Sequence, residues 1–266
     1  MTKRIVVFVL AFACSAPAFA QVSTPASTQS STPYSSQTPA PYSPQTPAPP
    51  DPLHHREWEG TFYAGYVFLK DYKFQTAISG RDEKLGVVEM QYESGYRMGA
   101  RATQNLGDFF AATVEYGFSD QGLRLINVAP RIRTLNLNHF VHSLIYDVSF
   151  SPRTRDKRFR PHVELGTGVL LFHVAGESKA EALDRGLGLE DSWEVVFNYG
   201  VGFKHLVADH FALVVDFKGR MSDIPTYGLP KATRIVDGEY QPAISAHGLM
   251  HAWQFNIGIA HQWDAW

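Results

Sequence analysis

The sequence of 266 residues is long enough for one large β domain or two ordinary domains, and only 19% of its residues are charged while 13% are aromatic. A mean hydropathy of −0.18 excludes a bundle of membrane helices. Beyond the first twenty residues there is no apolar run of about 18 residues, the length that one transmembrane helix needs. Any membrane crossing must therefore use a closed β-barrel, because only closure pairs every backbone polar group in lipid.

The first twenty residues, 1–20, have the pattern of a secretory signal peptide. MTKR is a positively charged start, IVVFVLAFA is an apolar segment, and APAFA predicts cleavage after Ala20. A lipoprotein-type cut before Cys14 is the alternative. Cys14 is the one cysteine of the chain, so the mature protein has no disulfide. Loss of Lys3 and Arg4 with the leader changes the net charge from −2 to −4, which excludes the basic surface typical of nucleic-acid binding.

Residues 21–56 are rich in Pro, Ser, Thr and Gln, and YSSQTPAP (34–41) is nearly repeated as YSPQTPAP (42–49). Such a composition buries no core and favours an extended, solvated chain. We interpret this segment as a disordered periplasmic spacer, with binding to the cell wall or to a proline-reading partner as the alternative.

Residues 57–266 show the two-residue alternation of β-strands. In DSWEVVFNYGVGFKHLV (191–207), large apolar side chains occupy one parity and charged, amide or glycine residues occupy the other. The same split recurs along the chain and predicts eight strands, at 59–69, 93–104, 109–118, 139–149, 161–172, 192–204, 211–220 and 251–263.

The connections between these strands alternate in length. Short ones are expected at 105–108, 150–160 and 205–210, and long ones at 70–92, 119–138, 173–191 and 221–250. Alternation of this kind is typical of a transmembrane barrel, which has turns at one end and loops at the other. A soluble sandwich with Greek-key crossings is the alternative, but it has no reason to alternate.

The polar faces of the strands carry five cations and five anions, interspersed with glycines. Inside a narrow eight-stranded barrel, small and large side chains must alternate and enclosed charges must pair. We therefore predict that these residues form a charge network in the lumen of a barrel whose apolar faces meet lipid. The network is Arg97, Arg101, Glu115, Asp147, Glu164, Glu194, Lys204, Asp216, Lys218 and Arg220.

The five tryptophans fall at or just beyond predicted strand ends, where the aromatic girdles of membrane barrels lie. We predict that they mark the two membrane interfaces. They are Trp58, Trp193, Trp253, Trp263 and Trp266.

With these features, the chain resembles the small outer-membrane barrels of Gram-negative bacteria, and in particular the OmpA-type transmembrane domain and its relatives. The matching segments are SGYRMGARATQNLGDFFAATVEYGF (94–118), RFRPHVELGTGVLLF (158–172) and the carboxy-terminal WQFNIGIAHQW (253–263). The resemblance implies an all-β, eight-stranded antiparallel up-and-down barrel in the outer membrane, acting as a monomer. It also implies recognition of the last strand by the barrel-assembly machinery, with Trp263 or Trp266 as the effective end of that signal. No peptidoglycan-binding domain follows the barrel in this sequence.

The histidines, serines and acids of the predicted strands include candidates for catalysis or metal binding. Adjacent His142 and Ser143 point to opposite faces of a strand, which makes a poor nucleophile–base pair. His162 and Glu164 share a face and are the acid–base candidate for a lipid-modifying enzyme, but an interior polar network explains them better, because many charges share that face. We predict no metal site, because the histidine pairs lack metal-ligand spacing. We also predict no enzyme and no cofactor. A narrow gated channel stays open as an alternative.

The predicted loops are the natural place for function on a rigid barrel. Cations there, such as Arg124, Arg131 and Arg133 in 119–138 and Lys231 and Arg234 in 221–250, could meet lipopolysaccharide phosphates or an anionic surface partner. Ordinary solvated loop charges are the simpler interpretation and the one that we favour. The sequence therefore predicts a structural or surface-interaction barrel whose partners are membrane lipid, lipopolysaccharide and a cell-wall or surface ligand.

Overall fold

The computed structural model describes residues 57–77, 87–129, 132–229, 234–236, 239–241, 243–244, 246 and 248–263. The predicted signal peptide, the spacer at 21–56 and Trp266 lie outside this described part of the chain. Within it, thirteen strands and one helix follow one another. The strands are β1 (Trp58–Phe68), β2 (Tyr72–Ala77), β3 (Val87–Tyr92), β4 (Gly95–Leu106), β5 (Phe110–Ala129), β6 (Ile132–Phe150), β7 (Phe159–Val174), β8 (Ser192–Ala208), β9 (Phe211–Asp223), β10 (Arg234–Val236), β11 (Glu239–Gln241), β12 (Ala243–Ile244) and β13 (Leu249–Trp263), and helix α1 (Gly176–Asp184) lies between β7 and β8.

Eight of these strands form a closed antiparallel ring. Its order is β1, β4, β5, β6, β7, β8, β9 and β13, and β13 pairs back onto β1 from Trp58↔Trp263 to Phe68↔Trp253. Each strand hydrogen-bonds to its two neighbours in this ring. The β5–β6 pairing extends over most of the length of both strands. The predicted fold class, an all-β, eight-stranded up-and-down barrel, is confirmed.

The faces of the barrel strands are sorted by parity. Large apolar side chains point outward and are exposed, as for Phe62 at 76% and Ile259 at 61%, whereas Glu115 and Lys218 point inward with 0% exposure. A soluble β-protein buries its apolar faces, so this arrangement is the reverse of a soluble fold. It gives the barrel an apolar outer belt and a charged interior, as expected when the surrounding solvent is hydrocarbon.

The barrel has two unlike ends. At the end that we call the turn rim, β1 begins and β13 ends, and the connections are only 107–109, 151–158 and 209–210. The opposite end, the loop rim, carries additional structure. There β2 and β3 form a hairpin that pairs with the upper part of β5 through Glu89↔Ile126, β12 pairs with β2, and β10 pairs with β11.

The prediction of a loop at 119–138 is wrong. β5 and β6 continue through it to Ala129 and from Ile132, so that only residues 130–131 separate them. The reason is a reversal of the side-chain pattern above the apolar belt. Inward positions there become apolar and outward positions become polar, because this part of the hairpin is surrounded by water and packs around a core. The inward residues are Leu123, Leu125, Leu135 and Leu137, each at most 2% exposed.

The single described helix, α1, is a surface element of the loop rim. Ser178 and Ala182 are its buried residues. Asp191 ties the helix to the barrel, because its carboxylate lies 2.8 Å from Nζ of Lys179 and 3.0 Å from Nδ1 of His173. Burial works against ionisation, but the hydrogen bonds from Lys179 and His173 hold the pKa of Asp191 below its usual value. None of the described helical structure has the length and apolar character needed to cross a bilayer.

Candidate functional site

The centre of the lumen is organised around the carboxylate of Glu115, which is fully buried on β5. Four cations from two sides of the barrel contact it. Arg97 and Arg101 of β4 reach it from the neighbouring strand, Arg101 through Nε at 2.8 Å. Lys218 and Arg220 of β9 reach it across the lumen at 3.0 and 2.7 Å. The network therefore joins opposite walls of the barrel through one acid.

The remaining central acids balance these cations. Nζ of Lys218 lies 2.7 Å from Glu164 and 3.3 Å from Asp147, in addition to Glu115. Asp147 also accepts a hydrogen bond from the side-chain amide of Asn198 at 2.7 Å. Arg101 contacts Asp216 through Nη1. Four cations and four anions thus form one contiguous cluster in which every member has at least one oppositely charged neighbour.

Two of the ten predicted network residues lie away from this cluster. Lys204 sits toward the turn rim, where its Nζ is 2.5 Å from Glu59. Glu194 sits toward the loop rim and accepts a hydrogen bond from Ser192 at 2.7 Å. Glu59, which is 2% exposed, was not among the predicted lumen residues. The signal was present, since Glu59, Thr61 and Tyr63 share the inward parity of β1.

Tyr63 completes the central cluster as its aromatic member. Its hydroxyl accepts hydrogen bonds from Arg97, at 2.6 Å from Nη2, and donates to Glu115 at 3.1 Å. The guanidinium of Arg101 lies over the ring, 4.6 Å from its centroid. The ring needs the absence of a side chain at Gly99 and Gly117, where a Cβ would come within 2.7 Å of the Tyr63 side chain. The interior glycines make room for the network.

Above the charged cluster, the loop-rim half of the lumen is filled by an apolar core. Tyr227 lies at its centre with 0% exposure, packed edge-on against Phe172 and His139 at centroid separations of 6.2 and 6.0 Å. Tyr92 packs against the other side of His139 at 6.1 Å. Tyr227 has a φ of 48°, a left-handed conformation that a non-glycine residue rarely adopts. Its packing in the mouth of the barrel compensates for that backbone cost.

The described tryptophans occupy the outer surface near both ends. Trp58 and Trp263 are direct neighbours at the turn rim, and each is 36% exposed. Trp193 and Trp253 lie at the opposite end of the belt, on β8 and β13, with 65% and 39% exposure. Trp253 stacks on Phe217 at 5.0 Å. Their positions are those expected of two interfacial girdles.

The acid–base candidates His162 and Glu164 both line the lumen, and each contacts a different charged residue. His162 contacts Asp216, with Nε2 at 3.1 Å from Oδ1, whereas Glu164 is held by Lys218. His142 faces outward and hydrogen-bonds the Tyr116 hydroxyl at 2.8 Å. Ser143 faces the lumen, where its hydroxyl donates to the Gly117 carbonyl at 3.3 Å. Within the described residues, no group of three or more His, Cys, Asp or Glu is placed to hold a metal ion.

The predicted loop cations fall into different settings. Arg124 on β5 is half-buried, donates to Asn136 at 3.0 Å and lies 3.5 Å from Glu93. Arg133 is exposed on β6. Arg131 and Lys231 lie outside the described residues, as does the side chain of Arg234. The structure therefore places part of the loop-rim charge in local contacts between neighbouring strands.

Comparisons with known proteins concern the fold only. No protein-family model matches the sequence, and a search of curated proteins finds no significant match. Among solved structures, the outer membrane protein OprG from Pseudomonas aeruginosa is similar at 14% identity, with 81% of this chain and 100% of that chain covered and a TM-score of 0.49.

Two further solved structures are similar at the same low level. AlkL, an outer membrane protein determined in lipid bilayers, has 13% identity, 84% and 98% coverage of the two chains and a TM-score of 0.49. Neisserial surface protein A has 11% identity, 77% and 97% coverage and a TM-score of 0.44. The closed ring, apolar outer belt and charged lumen described above give this chain the fold of the small eight-stranded outer-membrane barrels.

Proposed function

We propose that this chain is a monomeric, non-enzymatic outer-membrane barrel with a closed lumen, and that the loop rim is its interaction surface. The observation that carries the proposal is that two groups of side chains, one charged and one apolar, fill successive parts of the lumen. The ion cluster around Glu115 occupies the middle, and the apolar core around Tyr227 occupies the loop-rim half. The central charges neutralise one another, so they leave no uncompensated group to draw an ion through.

The proposed orientation places the turn rim in the periplasm and the loop rim outside the cell. Short turns on the periplasmic side and longer connections outside are the usual arrangement in barrels of this kind. The predicted signal peptide agrees with export of the chain. In this orientation β13, which ends at the turn rim, is available to the barrel-assembly machinery, and the loop rim faces lipopolysaccharide.

The proposed interaction surface is a folded platform rather than a set of separate loops. The β2–β3 hairpin, the upper β5–β6 hairpin and α1 surround one apolar core that includes Leu125, Leu137 and Ala182. Side chains on the outer faces, such as Arg124, Glu93 and Glu181, are exposed or half-buried. A platform held by its own core can present such groups in fixed positions, which favours recognition of a surface ligand or lipopolysaccharide.

Labelling of single cysteines in intact cells tests the orientation. Because the predicted mature chain has no cysteine, Glu177→Cys on α1 and Arg153→Cys at the turn rim each introduce one reactive thiol. We expect a membrane-impermeant maleimide to label the Glu177 variant in intact cells and the Arg153 variant only after the outer membrane is permeabilised. Labelling of the Arg153 variant in intact cells, with the Glu177 variant protected, would reverse the orientation.

Planar-bilayer recording tests the closed lumen. We expect purified, refolded protein to give no discrete conductance steps in salt solution, and we expect Tyr227→Ala to stay silent because the ion cluster still fills the middle of the barrel. Folding of both samples is checked by heat-modifiable migration on SDS gels. Reproducible unitary steps from the wild-type protein would favour the narrow channel over the closed barrel.

A further inference from the structure

The turn-rim mouth of the lumen contains two adjoining recesses that the proposed function does not use. One has a cavity volume of about 50 Å³ and extends inward to Arg101 and Glu164. The other, of about 20 Å³, lies beneath the turn at 151–158. Asn105, Arg160 and Lys204 line both, so the two recesses lie side by side. We call the pair the turn-rim recess.

The outer part of the turn-rim recess is strongly positively charged. Five cations and no acidic residue line the recess beneath the turn, and they are Arg155, Lys157, Arg158, Arg160 and Lys204. The inner part adds Arg101 and His162 together with two carboxylates, Glu59 and Glu164. The described lining therefore carries four more cationic than anionic groups, even with the histidine neutral.

Most of the acidic groups near the turn-rim recess already have partners. Glu59 is 2.5 Å from Lys204, and Glu164 is 2.7 Å from Lys218 in the central cluster. Asp156, in the turn itself, is 2.6 Å from Lys157. These contacts neutralise Lys157 and Lys204, and the guanidinium groups of Arg158 and Arg160 contribute further positive charge to the outer part.

Two of the arginines that line the recess retain unused donors. Arg101 is only 8% exposed and makes ion pairs through Nε and Nη1, yet its Nη2 has no hydrogen-bond partner among the described residues. Arg160 donates from Nη2 to the Asp108 carbonyl at 3.1 Å, whereas its Nε likewise has no partner there. A buried donor without an acceptor carries a desolvation cost that a bound acceptor would remove.

The electrostatics of the turn agree with this reading. Burial lowers the pKa of the Arg155 guanidinium, against the opposing influence of Asp108 and Glu57. A lowered value means that the cation is stabilised less in the folded protein than in water. An anion placed among the arginines would restore the missing stabilisation.

We propose that the turn-rim recess binds a phosphate-type oxyanion. Guanidinium groups form paired, charge-assisted hydrogen bonds with phosphate oxygens, and several guanidiniums converge here from the 151–158 turn and β7. Thr103, Ser149 and Ser151 also line the inner part and make it polar. The phosphate belongs either to a small soluble solute or to a phospholipid headgroup at the neighbouring leaflet.

Titration with inorganic phosphate tests the site in protein refolded in uncharged maltoside micelles. We expect saturable one-to-one binding by calorimetry and a shift of the Arg160 Nε–H resonance in wild-type protein. The double variant Arg158→Gln/Arg160→Gln should bind at least about tenfold more weakly, because two groups that donate charge-assisted hydrogen bonds are removed. The double variant Arg124→Gln/Arg133→Gln removes the same charge at the loop rim and should bind within about twofold of wild type, since screening limits long-range effects.

A second titration distinguishes the sources of the phosphate. If a headgroup is the ligand, short-chain phosphatidylglycerol below its micelle concentration should shift the same Arg160 resonance more strongly than inorganic phosphate and compete with it. If a soluble solute is the ligand, inorganic phosphate should bind without competition from the lipid. The proposal is overturned if neither probe produces a saturable shift in the wild-type protein, or if the loop-rim double variant weakens binding as much as the turn-rim one. The resonance measurement needs no variant, so a variant that fails to fold leaves the test intact.

Discussion

Replacing Glu115 with glutamine is expected to destabilise the barrel by about 3–5 kcal/mol, the usual cost of removing one partner from a buried ion pair. Four cations, Arg97, Arg101, Lys218 and Arg220, contact this carboxylate. Asp147, Glu164 and Asp216 cannot balance them alone, so one positive charge would be enclosed without compensation. The loss should appear in urea unfolding of protein folded into lipid vesicles, as a lower midpoint with an unchanged slope.

The matched control is Glu93→Gln at the loop rim. Glu93 also pairs with an arginine, Arg124 at 3.5 Å, but the two side chains are 61% and 44% exposed. Water solvates both charges, so the loss should stay below about 1 kcal/mol. Combining Glu115→Gln with Arg220→Gln should cost less than the sum of the two single changes, because both partners of one contact are then removed. Equal, small effects at Glu115 and Glu93 would contradict a dry, enclosed cluster.

Gly166→Val is expected to prevent most of the protein from closing its barrel. A Cβ at position 166 would overlap the Asp147 carboxylate and the Tyr146 carbonyl oxygen, and would lie 2.8 Å from the Asp147 Cα. Two of these three atoms are backbone of β6, so relief requires the β6–β7 pair to move apart. Overpacking of this kind costs about 3 kcal/mol or more. The fraction of folded, heat-modifiable protein on SDS gels after refolding measures the effect.

Leu165→Val on the same strand provides the comparison for Gly166→Val. Leu165 is the adjacent residue with the opposite parity, pointing outward at 59% exposure. Its replacement by a smaller apolar residue changes only a lipid contact and should leave the folded fraction within experimental error of wild type. A normal folded fraction for Gly166→Val would show that the lumen beside Asp147 has room that the packing does not reveal.

The sequence was informative where parity alone decides a position. The alternation assigns Arg97 and Arg101 to one face, and both are buried in the structure, because charged residues in a strand exposed to lipid have only the inward direction available. The same argument would have identified Glu59, but the outward face of β1 mixes Gly60, Ala64 and aromatic residues, which obscured its pattern. The upper parts of β5 and β6 are not predicted, because Arg124, Arg131 and Arg133 suggest a loop, although Leu123, Leu125, Leu135 and Leu137 keep strict alternation.

The contacts within the lumen could not be derived in the same way. Alternation determines whether a side chain points inward. Its position along the barrel axis relative to residues of other strands depends on the stagger of all strands around the closed ring. Glu115 and Lys218 are 103 residues apart in the chain and meet across the lumen, and nothing local in either strand specifies that contact. The packing of Tyr227 could not be predicted either. Pro225, Gly228 and Pro230 surround it in the sequence, and a tyrosine in such a setting resembles a surface loop residue.

The unbroken alternation of β5 and β6 restricts how this hairpin can change length. On the turn-rim side of Ser119 the outward side chains are apolar, and on the loop-rim side they are polar. The same alternate residues nevertheless point inward along the whole hairpin. A single added residue there, unless a bulge absorbs it, would turn Leu123 and Leu125 toward water and Arg124 toward the core. Tolerated insertions and deletions in this hairpin therefore come in steps of two residues.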